Sequence, residues 1–260
     1  QDSLREELSD KGVNLMLCLR VKAPFAAFRT FTAGSYRPTA PFITPSAAYG
    51  LVLNVAGIES RFNDGRAPMT LTRLGLPKVQ IALGAITFPE VQSIYQQLHN
   101  YPVGTTGQDH ADACKGAKYN IQPVRREFLS GLDVYICLRE NADLEKQVRA
   151  GLRMGAQWAS DGQHRYGIPF LGDNNFIVDV LREEPSPGLA HWYRRLTKDD
   201  SGLSDRQCRL TVWIARDDMS QTQALLYAPL KDPVADIPES AWTTLEPPAE
   251  SPASKKRSKK

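Results

Sequence analysis

Arg20, Lys22, Arg29 and Arg37 are cations, and Phe25, Phe28 and Tyr36 are aromatic, all within one short stretch of this chain. Phosphates need cations, and unstacked bases need aromatic faces, so this composition suits single-stranded RNA. The stretch holds no nucleophile beside a base, so its chemistry is holding rather than cutting. An exposed strand end over core phenylalanines would give the same composition, and the residues alone leave both readings open.

A second group is His164, Arg165 and Tyr166, followed by a turn rich in glycine and asparagine that ends at Phe176. One reading is a glycine loop that accepts RNA backbone, with Arg165 on a phosphate. The other is a shaped turn, and it is favoured for Pro169, Phe170, Asp173 and Asn174. A third group is Lys78, Lys115, Lys118, Arg125 and Arg126. Lys115 and Lys118 lie among Gly104, Gly107 and Gly116 and could grip a backbone, although two lysines in an exposed loop are commonplace.

Searches for catalysis return little. There is no phosphate-binding P-loop, no Gly-x-Ser-x-Gly and no His-Glu-x-x-His. Metal-free RNA cleavage needs a general base and a cation at the scissile phosphate. Tyr119, Lys118 and His110 could supply such a set, but their spacing does not single them out. No cofactor or metal site is expected, and a non-enzymatic role is the expectation. A metal-independent endoribonuclease is the alternative.

The elements that must position these groups follow from hydrophobic period. Residues 13–22 read as a central strand ended or bent by Ala23 and Pro24. Thr44 and Pro45 open a helix. Residues 78–87 read as a strand, 88–121 as an insertion, and 122–139 hold a second strong strand. Asn141 and Asp143 cap a helix running to about Met154. Beyond it lie a loop over 155–175, a strand at 176–181, a short helix at 189–196, and strands at 208–215 and about 223–230. The fold class is α+β. The order strand, helix, strand, insertion, strand, helix, strand is that of a ferredoxin-like, RNA-recognition-type sheet. The expected division is 1–12 disordered or foreign to the natural chain, 13–140 an N-terminal domain, 141–231 the remainder with a smaller β-rich part, and 232–260 a disordered basic tail.

Composition bounds the partners. The chain of 260 residues has a net charge of +3, but 254–260 alone carries five cations. Residues 13–139 carry 13 basic against 7 acidic residues, and 140–253 carry 12 against 18. The first half is therefore the one expected to face an anion. No run approaches the roughly 18 apolar residues of a membrane span. Cys18, Cys114, Cys137 and Cys208 have no metal-finger spacing. Cys18 and Cys137 read as small buried hydrophobes, which suggests a reducing cytoplasmic compartment.

Two stretches resemble a known family. Ala23-Pro-Phe-Ala-Ala-Phe-Arg29 followed by Pro45-Ser-Ala-Ala-Tyr-Gly-Leu-Val52 resembles the N-terminal signature of the fifth Cas subunit (Cas five), RNA-binding proteins of type I CRISPR Cascade within the RAMP superfamily. Arg165-Tyr-Gly-Ile-Pro-Phe-Leu-Gly-Asp-Asn-Asn-Phe176 is similar to the Myxan (DevS-like) branch found with type I-B systems. The resemblance covers roughly residues 13–230. It implies a ferredoxin-like domain with an inserted β-hairpin thumb, here about 88–121. It also implies a subunit that caps the 5′ handle of the CRISPR RNA, joins the Cas seven backbone to the Cas eight large subunit, and reaches target DNA through the complex. Arg20, Lys22, Phe28 and Arg29 would fall near the handle, and Lys115 and Lys118 on the thumb. One branch cuts precursor RNA with a Tyr/Lys/His set, which does not map here. The resemblance is compatible with antiviral defence and with RNA-guided transposition.

Overall fold

The computed structural model describes residues 16–30, 36–62, 71–102, 119–154, 168–198, 200, 206–216 and 219–247. Among these the fold is mostly β, with one large antiparallel sheet and two helices. The sheet contains β1 (Leu17–Ala26), β5 (Val79–Thr87), β7 (Tyr119–Arg139), β8 (Val180–Glu184), β9 (His191–Arg195), β10 (Cys208–Trp213) and β11 (Gln223–Pro229). Their order is β10-β11-β9-β5-β7-β1-β8. β2 (Tyr36–Arg37) and β6 (Glu90–Pro102) also pair with β7, and β12 (Thr243–Leu245) with β5. β3 (Arg61–Phe62) and β4 (Leu71–Thr72) form a separate two-stranded ribbon. The helices are α1 (Pro45–Val55) and α2 (Ala142–Met154).

Local chemistry accounts for the helices. The Thr44 hydroxyl accepts the Ala47 N–H at 3.2 Å and Pro45 opens the first turn, as expected from the sequence. Asn141 caps α2 by accepting the Leu144 N–H at 2.9 Å, with Asp143 and Glu145 in the first turn. Side chains alternate across β1. Leu17, Leu19, Val21 and Ala23 are fully buried in the core with α1 and α2, while Arg20 and Lys22 project from the other face. Part of that other face is covered by residues 234–242. The Trp192 indole N–H donates to the Val234 carbonyl at 3.0 Å, and Ala241 and Trp242 join its cluster. Lys22 on this face stays exposed, as does Phe25 near the end of β1.

Several sequence expectations are corrected. β1 does not stop at Ala23 and Pro24. It pairs with β7 on to Ala26. Its partnership with β8 ends at Lys22, and a strand edge tolerates the missing proline N–H. The strand expected at 176–181 lies at Val180–Glu184, because 170–177 folds into a turn. The helix expected over 189–196 is the strand β9, where pairing with β5 and β11 outweighs local preference. Residues 232–247, expected to lack a fold, contain a bridge from Val234 to Ala190 and the strand β12 on β5. Residues 1–12 and 248–260 lie outside the described residues. Cys18 and Cys137 are fully buried in an apolar cluster, as expected, but they are not separate thiols. They face each other across β1 and β7 with Cα atoms 4.1 Å apart and are paired as a disulfide, which removes the argument from cysteines to a reducing compartment. Cys208 is free and buried, and Cys114 lies outside the described residues.

One buried carboxylate makes stability pH-dependent. Glu145 on α2 is 5% exposed, and burial pushes its pKa up to about 7 against the opposing pull of Arg149 at 3.6 Å. The folded state therefore binds more protons than the unfolded one from about pH 4.5 to 7, and this group's contribution falls as pH rises through that window. Glu145→Gln is expected to stabilise the protein at pH 8 by on the order of 1–3 kcal/mol and to change little at pH 4. Urea denaturation of both proteins at the two pH values checks it.

Candidate nucleic-acid interface

The exposed strip is built where β1, β6, β7 and the 168–178 turn meet. Phe25 packs edge-on against Phe128 with ring centroids 5.4 Å apart, and Phe176 stands 6.2 Å from Phe25 and 6.0 Å from Phe128. Phe25 is 44% exposed, so the trio is a partly open platform. The Arg126 guanidinium lies 5.1 Å over the Phe176 ring and pairs with Asp173 at 2.5 Å. Alternate residues share a face in a strand, which is why Arg126 and Phe128 reach the same side of β7.

The 168–178 turn is pinned by its own backbone. The Leu171 N–H donates to the Phe176 carbonyl at 2.9 Å, the Phe176 N–H to the Asp173 carbonyl at 2.9 Å, and the Ala27 N–H to the Leu171 carbonyl at 3.0 Å. Asp173 also accepts the Asn175 N–H at 3.0 Å. Burial alone would raise the Asp173 carboxyl. The Asn175 N–H and Arg126 outweigh it, with Arg29 adding a weaker pull, and the carboxyl stays below its usual range.

Of the residues singled out in the sequence, Lys22, Phe25, Arg29, Tyr36 and Arg125 are exposed and Arg37 is half-buried. Tyr36 donates a short hydrogen bond to Glu127, which raises its pKa, and Arg125 lies 5.7 Å over its ring. Arg125 also donates to the Ser93 hydroxyl at 2.9 Å. Three assignments change. Phe28 is 3% exposed in the core and offers no face to a ligand. Arg20 makes a two-pronged pair with Asp133, Nε to Oδ1 at 3.0 Å and the terminal nitrogen to Oδ2 at 2.8 Å, which raises its pKa against the cost of burial. Arg126 is spent on Asp173 and only 11% exposed. Lys78, grouped with these cations, pairs with Glu246 at 2.9 Å. Lys115, Lys118, His164, Arg165 and Tyr166 lie outside the described residues.

Residues the sequence reading did not place here are Phe128, Phe176, Asp133 and Tyr95. Phe176 ended a quoted motif, and the alternation of Arg126 with Phe128 was the available signal for Phe128. Tyr95 is 78% exposed on β6, directly opposite Arg125, in the hairpin of β6 with the first half of β7.

Among the described residues, no cluster of three His, Cys, Asp or Glu side chains could hold a metal ion, and no helix is long and apolar enough to cross a membrane. His191, the one histidine described with its side chain, donates from Nδ1 to the Leu230 carbonyl at 2.9 Å and lies 4.6 Å from the Phe88 ring. The arrangement of cations around half-open rings can hold an anion with planar groups.

No curated protein matches the chain. One solved structure, described as a "CRISPR RNA-guided surveillance complex", superposes with a TM-score of 0.52 at 12% identity, over 84% of this chain and 91% of that one, a likeness of fold alone. Another, described as "Crystal structure of Cas protein", reaches a TM-score of 0.41 at 14% identity over 82% of this chain and 93% of that one, too loose to carry an argument. The sequence profile of the CRISPR-associated protein (Cas_Cas5) family matches residues 16–180, from β1 to the start of β8, and so takes in both helices and the whole cation–aromatic strip: the chain belongs to that family.

Proposed function

We propose that this protein is the guide-binding subunit of a type I CRISPR Cascade complex, of the I-B branch. It caps the 5′ handle of the guide RNA and joins the Cas seven backbone to the Cas eight large subunit in RNA-guided DNA targeting. The observation that carries the reading is the gathering of surface cations and rings at the end of β1, on β2 and along the first half of β7, where Lys22, Phe25, Arg29, Tyr36 and Arg125 are exposed and Arg37 is half-buried. Family membership supports RNA as the ligand class of these residues, and the likeness of fold to a chain of a surveillance complex agrees with it. The order β5-β7-β1-β8, with α1 and α2 in the connections, supports the ferredoxin-like reading, and the β6–β7 hairpin supports the thumb. We place the protein in the cytoplasm, where its nucleic-acid partners are. Its role is holding RNA, not cutting it.

The test is reconstitution of the complex with guide RNA carrying the handle. The double variant Arg29→Ala with Arg37→Ala is expected to weaken retention of the handle about tenfold or more at moderate salt, and to flatten the salt dependence. Unchanged retention would remove the strip from the interface. Arg20→Ala is expected to act through stability instead, by leaving the buried Asp133 without its cation. In the same preparation, repeat RNA incubated with the protein in EDTA should stay intact, and specific cleavage would replace the holding role with the endoribonuclease.

A further inference from the structure

On the helix side of the sheet, a cleft opens between the outer surface of α1 and the chain leaving β10. It is a shallow cleft, open to solvent, with a cavity volume of about 90 Å³. Arg61 and Arg216 enter it from two separate segments, Trp213 forms part of its wall, and Ser60 and Thr72 contribute hydroxyls. Among the described residues, neither guanidinium has a carboxylate within ion-pair distance. Burial, and then the nearby Arg61 cation, lowers the Arg216 pKa. Two neighbouring cations with no carboxylate between them among the described residues repel each other, and a bound anion would relieve that cost.

A second observation concerns the floor. Gly50 sits in the middle of α1 and lines the cleft, and a β-carbon built there would meet nothing within 4 Å. A glycine inside a helix costs roughly 0.5–1 kcal/mol relative to alanine. Close packing does not call for this one, unlike Gly151, whose β-carbon would strike the Val55 carbonyl. Its effect is to keep the space empty above an apolar floor.

We infer that this cleft binds a nucleotide, its phosphate between Arg61 and Arg216 and its ring against Trp213. The site is independent of the handle surface, since α1 covers the face of the sheet opposite Arg20 and Lys22. The same chemistry could come from a free mononucleotide or from one unit of a nucleic-acid strand.

The full chain is titrated with UMP, a short oligouridine and inorganic phosphate, each read by direct binding and by competition. UMP is expected to bind saturably, with affinity falling about tenfold or more in Arg216→Gln. Gly50→Leu fills the floor with a better helix former, so it should block UMP while the thermal unfolding curve is kept. Arg29→Ala should bind UMP as the parent does. Tighter binding of oligouridine than of UMP, lost in Gly50→Leu, would assign the source to a strand, and equal binding to a free nucleotide. Either supports the inference. No saturable UMP binding, equal binding in Gly50→Leu and Arg216→Gln, or phosphate binding as tightly as UMP would overturn it. So would loss of UMP in Arg29→Ala with retention in Gly50→Leu, which assigns the nucleotide to the handle surface.

Discussion

Gly151→Val is expected to lower stability by about 3 kcal/mol, roughly a 10 °C drop in Tm, with little of the loss recoverable by repacking. Gly151 is on α2 where it crosses the C-terminal end of α1. A β-carbon built there would lie 1.8 Å from the Val55 carbonyl oxygen. The obstacle is backbone, so no rotamer change can clear it. Either α2 moves off α1 or the carbonyl turns out of the last turn of α1, and both expose Val148 and Val55, which are fully buried in the core. Thermal melting followed by circular dichroism measures the effect. Gly50→Ala is the matched control on the neighbouring helix: with open space around it, the same type of change should raise stability by about 0.5–1 kcal/mol. Equal melting temperatures for Gly151→Val and the parent would mean that the two helices do not pack this closely.

The helices and long strands were legible because their signals are local. Thr44 and Pro45 announce α1, Asn141 announces α2, and apolar alternation marks β1, β5 and β10. What failed depended on partners far away in sequence. His191–Arg195 becomes a strand through β5 and β11, and Trp192 fits there because Gly84 leaves room for its ring, 2.8 Å from where a β-carbon would stand. Residues 243–245 are two threonines and a leucine in a stretch punctuated by prolines, too short to read as a strand, yet they complete an edge of β5. The site shows the same division. Composition located a cation–aromatic stretch, and the structure keeps Lys22, Phe25, Arg29 and Tyr36 at the surface. Composition could not show that Arg20 has Asp133 across the strand pair, or that Arg126 has Asp173, because those carboxylates lie 113 and 47 residues away. Nor could it separate Phe25 from Phe28: the first is half exposed and the second lies in the core, three positions apart on one chain.

Gly172→Ala is expected to abolish most handle-RNA retention without removing any group that would touch RNA. Gly172 has a φ of +82°, where a side chain costs roughly 1–2 kcal/mol, and its β-carbon would fall 1.5 Å from the Ala27 carbonyl oxygen. The turn would have to leave the end of β1, breaking the Ala27 to Leu171 hydrogen bond and drawing Asp173 and Phe176 away together. Arg126 would then lose both its carboxylate and the ring beneath it, and Phe25 and Phe128 would lose their third aromatic partner. Hydrogen exchange over residues 170–177 should accelerate, while exchange in α1 and β5 stays slow. Asp173→Asn separates the charge from the geometry. It keeps an acceptor for the Asn175 N–H and weakens only the pairing with Arg126, so its loss of RNA retention should be several-fold smaller than that of Gly172→Ala. If Gly172→Ala opens the turn by hydrogen exchange and the assembled complex still retains handle RNA at parental affinity, the aromatic platform is not where the RNA sits.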